Sequence, residues 1–445
     1  MKNRLLGTAS YDRAAKVVNA IEKWNAGLSA ELQYEKYCKM AASPFIFYRG
    51  TDHLFWSDFA DGWRLNRFGS VKTRTWLQGD AHAENMGAFY NDIGGLVYGL
   101  NDFDESIIAD YQYDLWRFAV SLVLVARQNG GFSEDQQNNI LDVLSQSYLD
   151  TLASYVGNKK AQKVFFTANN TKGDLRDFLK ETDKDDSRKK MLKKWTNSTN
   201  GNRRFDLSLE KLGKATTQEK KDITDAMPAY GKTLKGDISY NRKFFKIKDI
   251  ARRLDAGTGS LGTPRFYILI EGKSKSTKDD RILDVKLQSK PSGYWYLSDG
   301  EQIEYDQSFE NDAQRQEVAY QALGKHPDDL LGWMKLHNGY YSVRERSPFK
   351  ETFPTNTLTS EDSFIKMTEQ WAKVLATDHA RAEHKIAAEA KLFDFQDEVM
   401  KLVKGRHKEF RALVRAVAHE YADQVEADYG YFKKKLGLKD CPPVV

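Results

Sequence analysis

The sequence predicts an α+β fold with a large helical component, and three observations carry that prediction. Strand-like alternation is concentrated in two windows, near 73–102 and 253–345. Helical periodicity fills most of the rest: from Asp114 onward Leu115, Phe118, Ala119, Leu122, Val123 and Ala126 recur at helical spacing, and residues 360–436 read as helix almost throughout. The composition, 40% hydrophobic, 29% charged and 12% aromatic over 445 residues, is that of an ordinary globular protein and far from a disordered or membrane chain. That length predicts two or three structural units with a sizeable core.

In chain order, residues 1–40 read as helical, and the aromatic-rich "AASPFIFYRGTDHLFWSDFA" (41–60) is too irregular to assign but is expected to pack beneath the site. "TRTWLQ" (73–78) and "GLVYGLND" (95–102) read as two strands joined through "GAFYNDIGG", whose Asn, Asp and paired glycines suit a turn. The helix beginning near Asp114 is apolar enough to be buried, and a second spans about 134–156. Between 157 and 245 the chain turns rich in Lys, Asp, Asn and Thr, which predicts a helical subdomain or insertion without strong strand signals. "RLDAGTGSLGTPRFYILIEGKSKSTKDDRILDVKLQS" (253–289) predicts strands linked by a polar turn, 311–324 a helix and 339–345 a strand.

Charge and cysteine content narrow the partners. A net charge of +5, from 68 basic and 63 acidic residues, is too balanced to predict a nucleic-acid partner, and "DSRKKMLKKW" (186–195) reads as a solvated helix face. No run of eighteen apolar residues and no basic-then-apolar leader is present, so no membrane partner is expected and the protein is expected in the cytoplasm, although an export signal of another type is invisible here. Cys38 and Cys441 lie at opposite ends with no Cys-x-x-Cys pair and read as two reduced thiols. His379 and His384, five apart in a helical stretch, read as helix-surface histidines.

The chemistry concentrates in "WLQGDAHAENMG" (76–87). Asp80 and Asn85 follow a strand, and Asp102 ends the next one, so hard oxygen donors suited to Mg²⁺ converge with a carboxylate able to accept a proton. Phosphoryl transfer needs that set: one carboxylate to deprotonate a hydroxyl, an amide oxygen and another carboxylate to hold magnesium against phosphates. "NDFDE" (101–105) adds Asp104. Gly257, Gly259 and Gly262 fit G-x-G-x-x-G between strands rather than before a helix, which suits either a loop over nucleotide phosphates or a plain hairpin turn. In "ILDVKLQS", Leu283, Val285 and Leu287 share one face while Asp284, Lys286 and Gln288 share the other. Lys286 is either a phosphate-gripping lysine, with Glu317 as its brace, or a solvated strand lysine. Arg49 either reaches the site as an anion binder or braces a loop.

Taken together, "KMAASPFIFYRG" (39–50), "GDAHAENMG" (79–87), "NDFDE" (101–105), "YDLWRFAVSLV" (113–123), "GTGSLGT" (257–263), "LDVKLQS" (283–289) and "YADQVEADY" (421–429) make the chain resemble the bacterial domain-of-unknown-function family 2252, over most of its length outside 157–240. "QGDAHAEN" is also similar to the His-Gly-Asp-x-His-x-x-Asn loop of aminoglycoside and choline phosphotransferases, with Gln78 in place of the first histidine. That likeness implies Asp80 as catalytic base, Asn85 and Asp102 as metal ligands and His82 as a support for the loop. It implies a protein-kinase-like two-lobed fold, circularly permuted, because the glycine stretch and Lys286 follow the catalytic loop instead of preceding it. Asp104 stands where kinases carry glycine, an extra carboxylate for a second metal ion or for nucleotidyl transfer.

The resulting expectation divides the chain into a catalytic-loop half of a helical lobe (1–156), a helical insertion (157–249), a small β-rich nucleotide lobe (250–350) and a helical remainder (351–445). The expected activity is transfer of a phosphoryl group from ATP, with Mg²⁺, to a hydroxyl of a small molecule or protein. The alternatives are a nucleotide-binding pseudokinase, a nucleotidyl (AMP) transferase and a metal-dependent phosphoesterase.

Overall fold

A computed structural model describes residues 10–441 apart from 61, 92–94, 186, 200–201, 235–244, 255–258, 260, 273, 275, 325–327, 383–394 and 439–440. The chain opens with helices α1 (Ser10–Trp24), α2 (Ala30–Met40), α3 (Pro44–Gly50) and α4 (Asp52–Phe59). Segment 41–60, which sequence left unassigned, is therefore two short helices. Ser43 caps α3 through Ile46 N–H with Pro44 at its first position, and both helices bury aromatics, among them Phe45, Tyr48, Phe55 and Trp56.

Four short strands follow: β1 (Arg74–Leu77), β2 (Met86–Tyr90), β3 (Leu96–Leu100) and β4 (Ile107–Asp110). The two expected strands do not pair with each other. β1 pairs with β4, and β2, formed by part of the stretch read as a turn, pairs with β3. "MGAFY" forms a strand because Met86 and Ala88 are buried against the helical core, and beyond it Gly95 N–H bonds to Asn91 Oδ1. Next come α5 (Gln112–Asn129), buried along most of its length as its apolar spacing predicts, and α6 (Glu134–Tyr155).

The stretch 157–245 contains α7 (Gly173–Asp185), α8 (Arg188–Trp195), the hairpin β5 (Thr196–Thr199) and β6 (Asn202–Phe205), β7 (Leu212–Lys214) and α9 (Thr217–Thr233). It is thus not purely helical: its polar strands carry too few apolar residues to register as alternation, yet β7 pairs with the next strand. β8 (Ile247–Arg253), β9 (Arg265–Ile270), β10 (Arg281–Leu287), α10 (Asp299–Ser308), α11 (Asp312–Leu323), β11 (Gly332–Leu336), β12 (Gly339–Glu345) and β13 (Glu351–Thr352) follow, and α12 (Glu361–Ala382), α13 (Phe395–Val403) and α14 (His407–Lys435) complete the chain.

One antiparallel sheet runs β11-β12-β10-β9-β8-β7, and β13 joins the β2–β3 hairpin at its edge. The pleat of the six-stranded sheet sorts its side chains. Leu283, Val285, Tyr341 and Val343 pack with Ile223, Met227 and Tyr230 of α9 in one apolar cluster. Asp284, Lys286, Ser342 and Arg344, alternating with them, face the other way toward the strand-end loops. A separate and larger apolar cluster joins α3 to α6, α12 and α14.

Two further expectations fail. His379 is fully buried, with Nε2 3.2 Å from Asp114 Oδ2 and Nδ1 2.7 Å from the Tyr148 hydroxyl, because α12 is covered on nearly every side by neighbouring elements; His384 lies outside the described residues. Cys38 and Cys441 form a disulfide, their Cα atoms 5.2 Å apart, because folding brings the ends of the sequence together whatever their separation. Cystine is the form favoured by oxidising compartments. Among the described residues no helix is long and apolar enough to cross a membrane.

Candidate active site

The loops that leave β1 and β3 lie side by side and are tied to one another before they meet any other element. Gln78 Nε2 donates to the carbonyls of Asn85 (2.8 Å) and Asp102 (3.1 Å), and Asn101 N–H bonds to the Asn85 carbonyl. From below, the buried Asp114 of α5 accepts Gln78 N–H (2.7 Å) and Gly79 N–H (3.0 Å). Gly79 has φ +85°, and a Cβ there would stand 1.9 Å from the Glu105 carbonyl oxygen, so glycine is required both by conformation and by closeness. His82 supports the loop by accepting Glu84 N–H at Nδ1 (3.2 Å), and burial, then the charges of Arg49 and Arg117, hold its ring well below the usual imidazole range, hence neutral.

Asp80 points into a cavity of about 280 Å³ whose lining includes His82, Asn85, Asp102, Asp104, Gly259 and Lys286. Residues from both windows of the sequence therefore face one space. Asp80 Oδ1 accepts from Nε of the buried Arg117 (2.8 Å), which also pairs with Asp52 at 3.0 Å and lies 4.3 Å from the Tyr48 ring centroid. Oδ2 lies 3.7 Å from His82 Nε2. Desolvation raises the Asp80 carboxyl to about 6 against the pull of Arg117. The Asn85 side-chain nitrogen donates to the Asp80 carbonyl (2.8 Å), which leaves its amide oxygen as the hard donor it can offer the cavity.

On the facing sheet, Lys286 pairs with Asp104, which also accepts from Gln288 Nε2 at 2.9 Å. Burial opposes the Asp104 charge, but Lys286 and Gln288 hold its carboxyl well below the usual range. Glu317 is buried in α11, and among its contacts it accepts from Gln321 at 2.9 Å. The contact from α11 to the loop comes from Arg315, which donates to the carbonyls of Phe103 (3.2 Å), Asp104 (2.7 Å) and Ser106 (2.7 Å). Gly262, at φ +81°, sits where a Cβ would strike Leu28, and it lines a different cavity; Gly257 lies outside the described residues. Arg49 braces the loop by pairing with Glu84 and also lines the cavity.

Sequence reasoning missed Arg117, Asp52, Arg315, Lys36 and Lys350. Arg117 and Asp52 sit within apolar and aromatic runs whose only signal was a charge on an otherwise buried face, and Arg315 within an ordinary polar helix. Desolvation lowers the buried Lys36 ammonium to about 8, partly offset by Glu105. Two carboxylates and one amide oxygen at Asn85, Asp102 and Asp104 suit a hard cation, although among the described residues no group of three His, Cys, Asp or Glu stands at metal-holding distance.

A family model described as "Uncharacterized protein conserved in bacteria (DUF2252)" matches residues 29–435, and the chain belongs to that family. No curated protein and no solved structure matches it.

Proposed function

For this DUF2252 chain we propose an ATP- and Mg²⁺-dependent phosphotransferase of protein-kinase-like, circularly permuted design, acting on a hydroxyl acceptor. The observation that carries the proposal is the meeting of Lys286 and Asp104, 182 residues apart in sequence, in the cavity that Asp80, Asn85 and Asp102 also line. The order along the sheet supports it. A glycine-bearing connection between β8 and β9, then the lysine strand β10, then helix α11, is the order in which a kinase-type lobe carries its phosphate loop, its lysine and its bracing helix.

In this mechanism Asp80 Oδ2 accepts the proton as the acceptor oxygen attacks the terminal phosphorus. The new O–P bond forms while the bridging P–O bond breaks, and the nucleoside diphosphate leaves with the bond's electron pair. Arg117 clamps the other carboxylate oxygen and so fixes which one faces the acceptor. Lys286, now paired with Asp104, would grip the donor phosphates, and Asp104, Asn85 and Asp102 are the residues that would hold magnesium. Magnesium, when bound, neutralises charge on the phosphates.

The deciding experiment supplies ATP labelled separately at the alpha and gamma phosphates, with and without magnesium. Gamma label reaching an acceptor supports phosphoryl transfer, alpha label supports nucleotidyl transfer, and binding without either supports a pseudokinase. Asp80→Asn is expected to abolish transfer while ATP binding persists, and equal turnover by the variant would overturn the assignment.

A further inference from the structure

The cavity is charged far beyond what a nucleotide's base would want. Ligand sites that bury a base offer apolar slabs to its faces, yet Trp24 is the only large apolar side chain among the described residues lining this one, and its ring is already stacked on His53 at 4.7 Å. The sheet contributes charge instead. Register sets Arg265 beside Lys286 and Asp284 beside Arg344, all on the cavity face. Arg265 Nε donates to Asp284 at 2.6 Å, and Arg344 donates to the Asn101 carbonyl at 3.2 Å.

Lys350, just before β13, is open to the cavity and makes no hydrogen bond or ion pair with any other described residue. Desolvation, then the Arg344 and Arg265 guanidiniums, lowers its ammonium to about 7, against Asp102 and Asp284. Three cations here face two carboxylates, one of them the expected magnesium ligand Asp102. Arg344 and Lys350 also line a second cavity of about 220 Å³, where Arg188 and Arg281 both pair with Glu345 and Asp328 lies nearby. Arg344 and Lys350 therefore stand at the border of the two spaces.

We infer that Arg265, Arg344 and Lys350 form a subsite for a phosphoanhydride chain, so that the cavity selects its donor by phosphates and not by base. Guanidiniums donate to phosphate oxygens in a planar fork, which Arg265 would have to share with Asp284, and the lysine adds a point charge. Inorganic polyphosphate and nucleoside triphosphates share this chemistry. The catalytic consequence rests on the phosphotransferase proposal; the binding does not.

Calorimetric titration of the full chain with ATP, GTP, inorganic tripolyphosphate and adenosine, each with magnesium, tests it. The three phosphate ligands are expected to bind within about threefold of one another and adenosine to give no heat. Lys350→Met and Arg344→Gln are each expected to weaken all three by about tenfold. Tripolyphosphate silent where ATP binds, or a Lys350→Met chain that binds like the wild type, would overturn the subsite. Label transfer from ATP with tripolyphosphate silent keeps the phosphotransferase and removes the subsite. Tripolyphosphate binding with no transfer to any acceptor does the reverse.

Discussion

The two banks of the cavity hold their charges in different ways. On the helical bank, Arg117 is fully buried between Asp52 and Asp80, and the Asp114–His379–Tyr148 chain behind it is buried as well. On the sheet bank, Lys286–Asp104 retains partial exposure, 14% and 23% of the two side chains. A buried ion cannot lose its partner without leaving an uncompensated charge, whereas an ion at a cavity wall can trade its partner for a ligand. The helical bank is built to keep its geometry and the sheet bank to exchange contacts.

The sharpest way to break that contrast is Arg117→Met. It strands Asp80 and Asp52 and is expected to cost about 3–5 kcal/mol in urea unfolding, with Arg117→Lys recovering only part because an ammonium cannot reach both carboxylates as a planar fork does. Next in size, Cys38→Ser, or reduction of the oxidised protein, is expected to cost about 2–4 kcal/mol, read as a lowered Tm. Lys286→Met tests the other bank. Its unfolding free energy is expected to change by about 1 kcal/mol or less, while phosphate transfer falls at least a hundredfold, and a loss of stability as large as that of Arg117→Met would erase the distinction.

The smallest effect concerns pH. Burial and the nearby Glu345 raise Asp328 to about 7, against hydrogen bonds from Leu330 and Glu345 N–H. Because its folded value lies above the ordinary 3.8, its stabilising contribution is complete below about 3.8 and is lost progressively as pH rises from there through about 7. Asp328→Asn is accordingly expected to flatten the Tm profile between about pH 4 and 7. An unchanged slope would count against the raised carboxyl.

Legibility in the sequence follows the same division. The alternation in "ILDVKLQS" placed Lys286 and Asp284 on the right face because a half-buried strand advertises its two sides at period two. Asp80, Asn85, Asp102 and Asp104 were legible as a cluster of oxygen donors at strand exits, and the structure brings all four to one cavity. The pairing of β1 with β4 was not legible, since four-residue strands carry too little pattern to choose a neighbour. Nor was the Arg117 network, because helix α5 is apolar nearly all round and a lone arginine within it gives no sign of which carboxylates it will meet. The sequence named helix α11 as a neighbour of the site through Glu317, but gave no sign that the same helix also holds the catalytic loop through Arg315.

The bond between Cys38 and Cys441 closes a covalent ring around 403 positions of sequence. Along a ring, first and last have no meaning: the segment bearing Lys286 is upstream of the Asp80 loop when traced one way around and downstream when traced the other. A single scission anywhere within the ring leaves one molecule, with every residue of the cavity still tethered to the rest. Only a second cut, or a reductant, releases a fragment.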